Sequence, residues 1–118
     1  MSIVLERIYN EENPTGGYRI LVDRVWPRGI SKEQAQLDNW MKDLTPSPSL
    51  RKWFKHDAEK FAEFEEHYQK ELNKSDSAKE KKRELQEKSQ GHRVVLLYGA
   101  KDEKHNHAVV LKKWLESS

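Results

Sequence analysis

The feature of this sequence that most constrains its fold is the apolar run VVLLY, Val94–Tyr98, which stands between Arg93 and Gly99. The surrounding chain is very polar, with 36% charged residues and a mean hydropathy of −1.06. A strand that is apolar on both faces must be covered on both sides, as in the centre of a parallel sheet that carries helices. The run therefore predicts a central strand of an α/β sheet.

Three other segments complete the predicted sheet. A second strand is expected over 18–26, where Ile20, Leu21 and Val22 are consecutive apolar residues. A β-prone segment over 2–9 precedes it, and a loop rich in Asn, Pro and Gly separates the two. Segment 37–47 fits either a short strand or an extended connector.

Helix signals alternate with these strands. A helical turn is expected to start at Ser31, and Ser47 followed by Pro48 marks the start of a longer helix. Asp57 can cap the next helix. Its apolar stripe consists of Phe61, Phe64, Tyr68 and Leu72.

The second half of the chain predicts two more helices. Residues 73–90 indicate a polar helix that Gly91 ends, and the last helix turns four apolar residues inward: Ala108, Leu111, Trp114 and Leu115. The alternation of strands and helices predicts an α/β fold, with a small, mostly parallel sheet flanked by helices in Rossmann-like layers. A single domain over 1–118 is expected. Four aromatic residues are expected to pack as one cluster between the two central helices: Trp53, Phe54, Phe61 and Phe64.

Composition excludes several functional classes. The sequence has no cysteine, so disulfides, thiolate metal sites and a cysteine nucleophile are excluded. Its 22 basic and 20 acidic residues are interspersed, which argues against a general nucleic-acid binder. No apolar run approaches membrane-spanning length, and a cytoplasmic protein without membrane contact is expected. Phosphate-loop and dinucleotide glycine motifs are absent, and no cofactor is expected.

Two polar clusters follow the predicted strands, DRVWPRG at 23–29 and YGAKDEKHNH at 98–107. Ligands of open α/β sheets bind beyond the carboxyl ends of the strands, so the clusters are expected to face each other across a cleft. Asp102 is expected to cap the last helix, with His105 and Asn106 in its first turn. His105 and His107 would then point about 200° apart, so no metal site is expected.

The candidate residues fall into two groups by chemistry. The candidates for proton exchange are His105, His56 and Asp23. The candidate ligand-binding residues are Arg24, Trp26, Arg28, Tyr98, Lys101, Asp102 and Asn106. A structural alternative is that Asp23 and Asp102 simply neutralise the arginines, in which case the charges form a network with no place for a ligand.

Three motifs carry a resemblance to a known family. The elements DRVWPRG (23–29), WFKHD (53–57) and LYGAKDEKHN (97–106) resemble those of the YeaO-like proteins, small bacterial proteins in a family of unknown function. The resemblance spans nearly the whole chain. It implies a compact α/β domain and a bacterial cytoplasmic setting, and it brings no established activity or cofactor.

Two functional hypotheses follow. The first is an enzyme, or a binder derived from one, that takes a small anionic ligand such as a nucleotide, a phosphate ester or a carboxylate. The alternative is a non-catalytic interaction module associated with nucleic acid, which would use Arg and Trp on the same face. The first is favoured, because His, Asp and Asn beside two arginines exceed what contact with a phosphate backbone requires. The sequence does not indicate an oligomeric state.

Overall fold

A four-stranded sheet in which all strands run parallel lies at the centre of the computed structural model, which describes residues 2–10 and 16–117. Its strands are β1 (Ile3–Arg7), β2 (Tyr18–Leu21), β3 (Asn39–Trp40) and β4 (Val94–Tyr98). Their order across the sheet is β1-β4-β2-β3. Val94–Tyr98 is thus an inner strand, paired with β1 on one side and β2 on the other. The predicted α/β class and the parallel sheet are confirmed.

The helices begin where the sequence supplies caps. They are α1 (Lys32–Ala35), α2 (Pro48–Phe54), α3 (Phe61–Lys74), α4 (Asp76–Gly91) and α5 (His107–Glu116). Ser31, Ser47 and Ser75 each accept a hydrogen bond from a backbone N–H in the first turn that follows. Asp57 caps a 3-10 turn, Ala58–Lys60, that leads directly into α3.

The two faces of the sheet are covered differently. On one face, Ile20, Val94 and Leu96 pack against the apolar sides of α2, α3, α4 and α5, which form the main core. The main core buries, among others, Leu50, Phe54, Phe64, Tyr68, Leu72, Leu85, Leu111 and Leu115. None of the helices in the described residues is long and apolar enough to cross a membrane.

The opposite face of the sheet is covered by a thinner layer. Leu21, Val95 and Leu97 lie there under Leu37 and two tryptophans, Trp26 and Trp40. The Trp26 and Trp40 rings meet edge to face with centroids 5.5 Å apart. This layer is supplied by residues 26–40, which include most of the β2–β3 connection and β3 itself. The same connection also carries part of one polar cluster.

Several predicted boundaries and contacts need correction. The strand expected over 18–26 ends at Leu21, although the Val22 N–H still donates to the Leu97 carbonyl at 3.0 Å. Ile20–Val22 and Val94–Leu97 are fully buried and adjacent, as predicted. Segment 37–47 contains a two-residue strand. The polar helix starts at Asp76 rather than at 73, because Ser75 caps it. The loop predicted over 10–17 lies partly outside the described residues.

The predicted aromatic cluster is correct for three of its four members. The Phe54 ring stacks on Phe64 with centroids 4.1 Å apart, and Phe61 lies 6.2 Å from Phe54. Trp53 is 38% exposed and meets His67 edge to face instead. Its inclusion was wrong, because position 53 lies at the margin of the helix face that α3 covers.

Candidate functional site

A cleft of about 330 Å³ opens at the carboxyl end of the sheet. Its walls come from the segments that follow β1, β2, β3 and β4, together with residues of α2, α3 and α5 and the α2–α3 connection. We call this feature the cleft. It is lined by Tyr9, Asp23, Arg24, Val25, Trp26, Pro27, Pro46, Arg51, Phe54, His56, Phe64, Gly99, Ala100 and His107. Its position is where ligands bind in open α/β sheets, and its volume is at the lower end of ligand pockets.

Asp23 connects the two polar clusters at the base of the cleft. Its Oδ2 accepts a hydrogen bond from the Gly99 N–H at 2.9 Å. A Cβ added at Gly99 would lie 3.0 Å from the same oxygen, so a side chain there would crowd the carboxylate. Glycine at this position lets the end of β4 approach the carboxylate closely.

The second oxygen of Asp23 lies beside an imidazole without bonding to it. His107 Nε2 is 3.1 Å from Asp23 Oδ1 and 2.9 Å from the Val22 carbonyl oxygen. The geometry of a hydrogen bond is met by the Val22 carbonyl and not by the carboxylate, so Nε2 donates its hydrogen to Val22. Oδ1 is left buried with no hydrogen bond. The contact with His107 is therefore one of charge, and only when the imidazole is protonated.

Arg51 contributes the second buried polar atom of this kind. It lies in the middle of α2, and its Nε is buried with no hydrogen-bond partner. Two buried side-chain polar atoms among the described residues lack a hydrogen-bond partner, namely Asp23 Oδ1 and Arg51 Nε. Both belong to residues that line the cleft. Since buried polar groups are nearly always satisfied, this coincidence indicates a place where hydrogen bonds remain to be made.

Arg24 and His56 lie nearer the surface of the cleft. The Arg24 guanidinium reaches the Thr45 hydroxyl at 3.4 Å and is otherwise exposed. His56 has a left-handed backbone, with φ of 57°, directly after Lys55 at 48°. Two consecutive non-glycine residues in this region are uncommon, and such conformations concentrate at functional sites. The turn places His56 at the cleft after α2 has ended.

The remaining lining of the cleft is largely apolar and aromatic. Phe54 and Phe64 form one stacked pair, and Trp26 comes from the polar cluster at 23–29. The Trp26 indole donates to the Ile30 carbonyl at 2.6 Å, which fixes the orientation of its ring. The Tyr9 hydroxyl donates to the Arg28 carbonyl at 2.9 Å. The cleft thus combines flat apolar walls with a few polar groups, as ligand sites commonly do.

Four of the predicted candidates line the cleft: Asp23, Arg24, Trp26 and His56. Arg28 does not, and only its backbone carbonyl takes part, as the acceptor for Tyr9. Lys101 is exposed outside the cleft, and Tyr98 is buried in the main core. Burial raises the pKa of the Tyr98 phenol, so the side chain stays neutral at physiological pH.

The other three candidates lie in residues 101–106, which we call the α5 loop. Asp102 Oδ1 accepts from the backbone N–H groups of Lys104 and His105, and Oδ2 lies 3.0 Å from His105 Nδ1. These two backbone hydrogen bonds lower the pKa of Asp102, and the hydrogen bond with the His105 side chain lowers it to a smaller extent. The carboxylate is thus held within its own loop.

The predicted cap of the last helix was wrong. Helix α5 begins at His107, and its N-cap is Asn106, whose side-chain oxygen accepts from the Val109 N–H at 3.1 Å. The Asn106 amide nitrogen donates to the Asp102 carbonyl at 2.8 Å. His105 and Asn106 therefore precede the helix rather than lie in its first turn. The reason is that the chain turns through the α5 loop before the helix starts.

Sequence reasoning missed Arg51, Tyr9 and His107 as cleft residues. Arg51 stands three residues before Phe54, so both lie on the same side of α2, and this spacing was the available signal. His107 was considered only as half of a metal chelate. Its Nε2 donates to the Val22 carbonyl and lies close to Asp23. No group of three His, Asp or Glu side chains in the described part of the chain could hold a metal ion.

Comparison with known proteins assigns the chain to a family. A family model described as the inactive DUF488-N3 subclade matches residues 2–118. The chain belongs to the DUF488-N3i family. It is 42% identical over 117 residues to the uncharacterised protein YeaO of Escherichia coli K12, with 99% of each chain covered. It is also 46% identical over 69 residues to the uncharacterised protein Rv3073c of Mycobacterium tuberculosis H37Rv, covering 58% of each.

The resemblance to YeaO-like bacterial proteins is therefore confirmed for nearly the whole DUF488-N3i chain. No solved structure matches it. The cleft must accordingly be interpreted from its own geometry.

Proposed function

We propose that this DUF488-N3i protein binds a small anionic ligand in the cleft, without converting it. One observation carries the proposal: the two buried side-chain atoms without hydrogen bonds in the described residues, Asp23 Oδ1 and Arg51 Nε, belong to two residues that line the same cleft. Leaving a buried polar group unpaired costs about 1–3 kcal/mol, so a ligand that pairs with both gains that energy on binding.

The charges of the cleft favour an anion. Two arginines against one aspartate leave a net positive charge before either histidine is protonated. Guanidinium groups offer paired donors in a plane that match carboxylate and phosphate oxygens. Arg24 and Arg51 are the proposed clamps. Arg51 takes the place that the sequence hypothesis gave to Arg28.

Binding without turnover is favoured by the description of the family model as an inactive subclade. The site supports this view. His56 and Asp23 line the cleft, but the third candidate for proton exchange, His105, bonds to Asp102 in the α5 loop. The nucleic-acid-associated module stays an alternative prediction, and a cleft of this volume fits a small molecule better than a polymer.

The proposal is tested by titrating ¹⁵N-labelled protein with ribose 5-phosphate and, separately, with benzoate, while amide chemical shifts are followed. We expect saturable shifts at Gly99, Asp23 and Arg51 for at least one of the two anions. Arg51→Gln should weaken that binding at least tenfold, because it removes a charged donor from the cleft.

Arg28→Gln is the matched control. It changes the net charge of the protein by the same amount, but the exposed Arg28 side chain lies outside the cleft. Binding by this variant should match that of the unmodified protein. Equal losses in both variants would show that the anions respond only to overall charge, and the absence of any saturable shift would reject the proposal.

A further inference from the structure

We infer that the ligand is a nucleoside monophosphate, whose base donates a hydrogen bond to Asp23 while its phosphate contacts the arginines. This inference rests on the proposed function and assigns the class of ligand. It starts from a conflict within the cleft, because a carboxylate with an unpaired buried oxygen is a poor neighbour for a plain anion. The ligand must therefore present a donor to Asp23 Oδ1 and its negative charge elsewhere.

The donor requirement follows from the contacts of Asp23. Oδ2 is taken by the Gly99 N–H, and the nearest imidazole hydrogen is donated to Val22 rather than to Oδ1. Oδ1 can only accept. An N–H or amino group of a ligand is the partner that this oxygen lacks.

The two atoms without hydrogen bonds do not bond to each other, so we expect them to contact different parts of the ligand. Asp23 lies after β2 and Arg51 lies in α2, and the charged neighbour of Asp23 is His107 rather than Arg51. A carboxylate and a guanidinium that could reach each other in one cleft would pair. A ligand that serves both must carry its donor and its anion some distance apart, which a nucleotide does and an α-amino acid does not.

The walls of the cleft suit a flat ring between those ends. Tyr9 and Trp26, which are partly exposed, line it, and the buried rings of Phe54 and Phe64 stack on each other beneath it. Aromatic side chains stack on nucleobases in a way that tolerates differences among them, with about 1–3 kcal/mol per base. The volume of about 330 Å³ limits the ligand to a single nucleotide unit.

The test is isothermal titration calorimetry of the unmodified protein with the monophosphates of adenosine, guanosine, cytidine and uridine, and with ribose 5-phosphate. Ribose 5-phosphate keeps the sugar and phosphate but has no base. We expect at least one nucleotide to bind ten or more times more tightly than ribose 5-phosphate. N-methylation of that base, which removes its N–H donors, should cancel most of the preference.

Asp23→Asn provides the complementary change on the protein. Its side-chain oxygen can take the Gly99 N–H, which turns an amide donor toward the ligand in place of the acceptor. The ratio of nucleotide to ribose 5-phosphate affinity should then fall to near one. The methylated nucleotide tests the same contact if this variant does not fold.

The outcomes separate this inference from the proposed function. Equal affinity for nucleotides and ribose 5-phosphate would reject the nucleotide assignment and leave anion binding intact. A preference that survives both methylation and Asp23→Asn would also reject it, as would tighter binding of phenylalanine, which carries its donor and anion on one carbon. Failure of every anion to bind would reject the proposed function itself.

Discussion

The cleft and the α5 loop contain the same kinds of side chain, yet their hydrogen bonding is opposite. In the α5 loop, Asp102 and Asn106 bond to neighbouring backbone groups and to His105, so their polar atoms are used within the eight residues from 102 to 109. In the cleft, Asp23 and Arg51 each have a buried side-chain atom without a hydrogen-bond partner. Residue types alone do not identify a site; what distinguishes the cleft is capacity for hydrogen bonds that the fold leaves unused.

The largest effect that this comparison predicts is on stability in the α5 loop. Asn106→Ala should lower the free energy of unfolding by about 2 kcal/mol, because it removes the N-cap of α5 and leaves two partly buried backbone groups unpaired. Urea denaturation measures the change. Lys101→Ala, at an exposed position of the same loop, should stay within about 0.5 kcal/mol. A loss for Asn106→Ala below about 0.5 kcal/mol would contradict a structural role for the loop.

A smaller effect is expected in the cleft. Arg51→Met should change the free energy of unfolding by about 1 kcal/mol or less, because its removal does not leave a buried charged partner unpaired. If Arg51 were instead the charge partner of Asp23 in a structural network, its removal would cost about 3–5 kcal/mol. Arg19→Met is a useful comparison, since buried Arg19 donates to the Ala35 and Gln36 carbonyls and its removal should cost about 1–3 kcal/mol. Similar losses of stability in the two variants would contradict the difference in hydrogen bonding between Arg51 and Arg19.

The smallest effect is a dependence on pH in the α5 loop. Backbone hydrogen bonds lower the pKa of Asp102, so its ionised form stabilises the folded protein above the unfolded value of about 3.9. That stabilisation is lost as the pH falls through the lower pKa of the folded state. The melting temperatures of the wild type and Asp102→Ala should therefore differ at pH 7 and converge below about pH 4. A gap that does not vary with pH would show that the charge of Asp102 contributes nothing.

Much of the sheet could be predicted from the sequence, because continuous apolar runs have few alternatives in a chain this polar. Val94–Tyr98 and Ile20–Val22 are such runs, and both are buried in adjacent strands. The start of α2 after Ser47 and the cap at Asp57 ahead of α3 were also visible, since each combines a capping side chain with a following apolar stripe. Asp102 and Asn106 are both good capping residues, and local sequence does not decide between them. The choice depends on where the chain turns after leaving β4.

The cleft was less predictable than the sheet. The motif that follows β2 contains Asp23, Arg24 and Trp26, which line the cleft, whereas the candidates from the motif after β4 lie outside it. Arg51 and Tyr9 enter the cleft from segments without a polar motif, so only the packing of α2 and the end of β1 brings them there. Whether a buried polar atom has a partner is likewise a property of the assembled fold, and no sequence pattern reports it.

The order of the strands also determines how this chain can fold during synthesis. β4 is the partner of both β1 and β2, with Ile3 opposite Val94 and Ile20 opposite Leu96. β1 and β2 therefore cannot pair with β4 until nearly the whole polypeptide has been synthesised. Contacts this distant in sequence slow folding and leave apolar segments open to association meanwhile. A ribosome-bound chain truncated before Val94 should lack the protease-resistant sheet, however complete its helices are.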